Sequence, residues 1–135
     1  MKIKNRDLFA LLDALTLLNT LKISPEDSGA TRFNLAKNLR LAREHIEDLQ
    51  QTRNAMIRDL AVEVIRAGDG KEIVNTTTPA GRQLATQWET LMNKEEEVAL
   101  LAVDFTKLKV DENNLPFEML AGLLPILKQT PETNP

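Results

Sequence analysis

With 135 residues, 42% apolar and 27% charged, the chain is long enough for one domain with a modest core and too apolar for disorder. It has no cysteine, which excludes disulfides, thiolate metal sites and thiol nucleophiles. The 20 acidic and 17 basic residues give a formal net charge of −3, so the bulk basic signature of a nucleic-acid binder is missing.

The apolar residues are mostly Leu and Ala, with 4 Phe, 1 Trp and no Tyr, a composition that leans helical. The charged start Met-Lys-Ile-Lys-Asn-Arg-Asp, and the apolar run after it broken by Asp13 and Asn19, fit neither a signal peptide nor a membrane span. A cytoplasmic protein without a membrane partner is the expectation.

Residues 5–22 read as a first helix, with Leu8, Leu11, Leu12, Leu15 and Leu18 on one face and Asp13, Thr16, Asn19 and Thr20 on the other. Asn5 is the expected N-cap, and Asp7 lies in the first turn, where the helix dipole favours an acid. Ile23 to Gly29 reads as a break, and a tight connection there makes a helical hairpin with the second helix.

That second helix is expected over residues 31–67, a rod about 55 Å long. Along it Leu35, Leu39, Ala42, Ile46, Leu49, Arg53, Met56 and Leu60 repeat with a period of seven. Steps alternating between four and three make the seam of a helix lying against another helix, and these residues are the candidate interface. Arg53 interrupts the seam: it either sets register or partner number, or is exposed where the helices diverge. Gly68-Asp69-Gly70 is the expected stop.

Residues 71–78 read as a short strand or extended loop. Thr78-Pro79 is a cap and first-turn signal for a third helix over 79–93, with Leu84, Trp88, Leu91 and Met92 at helical spacing. From 98 to 110, Val103, Phe105, Leu108 and Val110 alternate with Asp104, Lys107 and Lys109, which suggests a strand pairing with 71–75; the competing reading extends the third helix to about 102. Residues 111–114 read as a turn. Pro116 opens a last helix that Pro125 ends, and residues 129–135 read as a loose tail. The expected architecture is mainly α: a helical hairpin with one long heptad-patterned helix, a shorter third helix and a small β element, as one domain over 1–128.

Candidate chemistry is sparse. His45, the single histidine, has Glu44 and Asp48 nearby, but acid–base work needs a pocket and metal binding needs further ligands. Gly68-Asp69-Gly70-Lys71 lacks the preceding strand, glycine spacing and following Ser or Thr of a phosphate loop. Glu95, Glu96 and Glu97 cannot all reach one ion from a helix, so they read as a solvated helix end. Trp88 reads as a core anchor, with an interface hot spot as the alternative. Arg32, Lys37, Arg40 and Arg43 occur without an intervening acid; a nucleic-acid binder needs them as one continuous exposed face, and a solvated helix face is the plainer reading. No catalytic residue, cofactor or metal site is expected, and nucleic acid is not the expected partner.

Several stretches together carry a resemblance. They are the N-terminal Lys-Ile-Lys-Asn-Arg-Asp-Leu leading into a Leu/Ala-rich helix that ends Leu-Asn-Thr-Leu, Phe33-Asn34-Leu35-Ala36-Lys37-Asn38-Leu39, Glu95-Glu96-Glu97-Val98, the trio Phe105, Lys107 and Leu108, and Leu115-Pro116-Phe117-Glu118-Met119-Leu120 with the following Ala-Gly-Leu-Leu-Pro. In this layout the chain resembles small helical bacteriophage and prophage proteins of unassigned function. The resemblance implies a phage origin, hence the host cytoplasm or the virion, and carries no catalytic residues. The expected function is a non-enzymatic interaction or assembly protein that self-associates or docks a protein partner through the long helix. The alternative is a phage inhibitor or regulator of a host protein.

Overall fold

Pairing with a distant segment builds a strand at the start of the chain, before the first helix. In a computed structural model, which describes residues 1–18, 28–108, 113 and 115–128, Lys2–Lys4 form strand β1 and Asn5–Leu17 form helix α1. Lys4 occupies the N-cap without a side-chain hydrogen bond. Asn5, expected as the cap, lies inside the helix and is buried instead. The apolar face is as expected, with Leu8, Leu11, Leu15 and Leu18 buried. Residues 19–22, and most of the expected break, lie outside the described residues.

Helix α2 runs over Ser28–Asp59, is followed by strands β2 (Val64–Arg66) and β3 (Glu72–Val74), and then by helix α3 (Pro79–Asn93). Next come β4 (Glu95–Glu97), β5 (Val103–Asp104), a 3₁₀ turn over Phe105–Leu108, helix α4 (Phe117–Leu123), a second 3₁₀ turn over Leu124–Ile126 and β6 (Leu127–Lys128). The protein is mainly α, with one long helix, a shorter third helix and small strand pairs. The expected tail, 129–135, lies outside the described residues.

The chain divides into two compact units, Met1–Glu44 with Glu95–Pro135, and His45–Lys94. In the first, β1 pairs antiparallel with β4 and β5 pairs parallel with β6. Helix α1 packs along α4. Their approach depends on Gly122: a Cβ there would stand 2.8 Å from the Ala10 carbonyl oxygen and 3.2 Å from the Ala14 Cβ. Ile3, Leu8, Leu11, Leu15, Leu108, Leu123 and Ile126 fill the core of this unit.

The second unit buries Ile46, Leu49, Val62, Leu84 and Met92. Here α2 stops well short of the expected residue 67. Ala61 takes a left-handed conformation (φ 51°), Ala61 N–H donates to the Arg58 carbonyl and Val62 N–H to the Ile57 carbonyl. This pair of bonds is a Schellman cap with alanine in the position glycine usually holds. Val62, Val64 and Ile65, β-branched and poor helix formers, then continue as extended chain and the strand β2.

Gly68-Asp69-Gly70 therefore turns a hairpin and does not cap a helix. Ala67 N–H donates to the Lys71 carbonyl, Gly70 sits at φ 83°, and Asp69 Oδ1 accepts from Lys71 N–H. Strand β3 pairs with β2, not with residues 98–110 as expected. Among its described residues, 98–108, that later segment holds the two-residue β5 and a 3₁₀ turn, and α3 ends at Asn93, so it neither pairs with 71–75 nor extends the third helix; residues 109 and 110 lie outside the described residues. Thr78 caps α3 as expected, its Oγ1 accepting from Gly81 N–H at 3.0 Å.

Candidate interaction surface

Half of the heptad seam is buried within the chain. Leu35, Ala42, Ile46 and Leu49 are buried, while Leu39, Arg53, Met56 and Leu60 are half-buried. A residue with no exposed surface offers nothing to a partner unless the fold opens, so these four buried residues read structurally as core, while the other four keep some exposed surface. Arg53 is neither exposed nor unaccompanied. Its guanidinium lies over the Trp88 ring, 5.9 Å from the centroid, a cation–π contact that joins α2 to α3 within the second unit. Trp88 is half-buried, so it supports this contact and is not a fully enclosed anchor.

The polar residue next to the seam does more than the seam suggested. Asn38 is fully buried, its Nδ2 donating to the Leu101 carbonyl at 2.8 Å and its Oδ1 accepting from Leu101 N–H at 2.7 Å. Buried amides that satisfy backbone in this paired way fix the position of an otherwise irregular segment. The sequence carried a weak signal for it: an Asn on the inward side of an amphipathic helix.

Glu95–Glu97 are a strand, not a helix end. Lys2 faces Glu97 and Lys4 faces Glu95 across β1 and β4, while Ile3 turns to the core opposite Glu96. Cross-strand opposite charges of this kind contribute roughly 0.2–1 kcal/mol each. The Met1 ammonium donates to Glu97 Oε1 at 2.5 Å, and this bond with its charge holds the Glu97 carboxyl below the usual carboxylate range; desolvation opposes the shift and Lys2 adds to it. Among the described residues no cluster of His, Asp and Glu converges as a metal-holding group. His45 is half-buried on α2, with Glu44 and Asp48 exposed.

Two surfaces in the first unit remain open. On α4 and the 3₁₀ turn that follows it, Phe117 and Leu124 are 83% and 65% exposed, with exposed Ala121 between them at steps of four and three. Beside them a concavity of about 340 Å³ is lined by Asp7, Ala10, Ala121, Gly122, Leu124 and Pro125. On α2, Arg32, Phe33, Ala36, Arg40 and Arg43 are exposed and Lys37 is half-buried. Residues 100° apart around a helix place all six on one side, opposite buried Leu35, Asn38 and Ala42. In the second unit, Ile65 and Ile73 face each other across the hairpin and stay about half exposed.

Comparison with protein families, curated proteins and solved structures returns no match. Among the described residues no helix is long and apolar enough to cross a membrane.

Proposed function

We propose that this chain is a non-enzymatic interaction or assembly protein of bacteriophage kind, acting in the host cytoplasm or the virion, that docks a protein partner through α4. One observation carries the reading: the exposed Phe117–Ala121–Leu124 row beside the α1/α4 concavity. Anchors at i, i+4 and i+7 are how a helix presents an apolar face to a partner's groove. A large aromatic left in water next to an apolar hollow is the usual mark of such a site. This reading places docking on the short C-terminal helix and not on the α2 seam, half of whose residues are buried.

The test is affinity capture from phage-producing cells and from purified particles, comparing the wild-type chain with Phe117→Asp and Leu124→Asp. Both substitutions sit on exposed positions and leave the core intact. The expected result is a protein captured by the wild type and lost by both variants. Capture undiminished in the variants, or a wild-type chain that captures nothing, overturns the proposal.

A further inference from the structure

The basic run on α2 meets the geometric condition that a nucleic-acid interface sets: its cations lie on one exposed side of a helix, and an exposed aromatic stands among them. Arg32 to Arg43 spans about 16 Å of helix axis. Phe33 is 64% exposed, and with Ala36, Lys37 and Arg40 it lines an open concavity of about 340 Å³. Among the described residues, no carboxylate lies within ion-pair distance of Lys37, Arg40 or Arg43. We propose that this face binds single-stranded nucleic acid, with Phe33 stacking a base and Lys37, Arg40 and Arg43 holding the adjoining phosphates.

Single strands are the class that fits. A stacking platform needs an unstacked base, which a duplex does not offer, and base–aromatic stacking beside Arg and Lys is the common way proteins hold single strands without reading sequence. An acidic peptide would satisfy the cations but leave the face of Phe33 without a planar partner. The net charge of −3 does not oppose the idea at this range. The Debye length is about 8 Å at physiological ionic strength, so acids elsewhere on the chain are largely screened from a strand lying on this face. The helix turns acidic at Glu44, which limits the contact to a short stretch of strand.

Fluorescence anisotropy with a labelled oligothymidylate tests this. Three phosphate contacts predict affinity falling about twenty-fold between 50 and 200 mM salt. Phe33→Ala is expected to weaken binding about ten-fold, and Arg40→Glu at least as much, while circular dichroism of both variants stays that of the wild type. Absence of binding at 50 mM salt, or binding that both variants retain, overturns the proposal. So does poly-glutamate competing as well as oligothymidylate with Phe33→Ala neutral, which would assign the face to an acidic polypeptide. The α4 docking site is separate: Phe117→Asp is expected to leave oligothymidylate binding unchanged, so either reading can fail without the other.

Discussion

Asn38 grips the backbone of Leu101 at both its N–H and its carbonyl, across 63 residues of sequence. The segment from Ala99 to Ala102 belongs to no helix or strand, so these two bonds do for Leu101 what a ladder does for a strand residue. Replacing Asn38 by Leu keeps the volume but strands a buried donor and a buried acceptor, for an expected loss of about 1–3 kcal/mol in urea denaturation. Asn38→Asp should cost more at neutral pH, since an ionised carboxylate cannot donate to the Leu101 carbonyl. Burial raises the pKa of such a carboxyl, so the excess cost should shrink on acidification toward pH 4, where the protonated acid can again donate. A loss independent of pH would contradict this.

Arg53 and Trp88 should be energetically coupled. Both are half-buried, a setting in which a cation over an indole ring is worth about 1 kcal/mol. A double-mutant cycle with Arg53→Met and Trp88→Leu measures it. Because the contact lies within one chain, Arg53→Met is expected to lower stability without altering oligomeric state, as read by light scattering. An unchanged stability together with an altered oligomeric state would return Arg53 to the register-setting role that its heptad position suggested.

Ala61→Gly should stabilise the protein. A left-handed alanine costs roughly 1–2 kcal/mol, and the extra chain entropy of glycine offsets only part of that, leaving a net gain of about 0.5–1 kcal/mol. Ala61→Val should do the reverse, because a β-branched side chain fits the left-handed region poorly. A destabilised glycine variant would mean that the Ala61 methyl group contributes more through packing than its exposed position indicates.

The sequence made the helices legible because burial repeats through them: the Leu8–Leu11–Leu15–Leu18 row and the Thr78-Pro79 start of α3 can be read at a glance. It misled where local signals competed. Gly68 looked like the helix terminator, yet the cap formed at Ala61, where nothing in the residue type marks a left-handed turn. The strands were harder still. Lys-Ile-Lys and Glu-Glu-Glu are each too short to show a period, and their meaning emerges only when they are placed side by side. The seam is legible as a burial pattern, and Leu35, Ala42, Ile46 and Leu49 are buried, but periodicity shows only that a helix face is covered and not what covers it.

Glu97 gives the fold a small acid sensitivity. Its pKa is depressed in the folded state, so its contribution is fully present above the unfolded-state pKa and is lost as pH falls through the lower folded value. Glu97→Gln should therefore flatten the stability profile at the acid end and leave β1–β4 pairing intact near neutrality. An acid limb identical in wild type and variant would locate that sensitivity in other carboxylates. The effect is modest, because the carboxylate is 68% exposed.

The division of the chain has a consequence for the order of events during synthesis. The unit over His45–Lys94 is continuous, and its hairpin and helices can associate as soon as they leave the ribosome. The other unit is stitched from both ends: β1 waits for a partner strand whose Glu97 lies 96 residues after Met1, and α1 waits longer still for α4. Bringing such distant segments together is the slow part of folding. Until residues 117–128 are made, the leucine face of α1 has no α4 to cover it, which makes the newborn N-terminal helix the point at which a chaperone, or another copy, would most readily intervene.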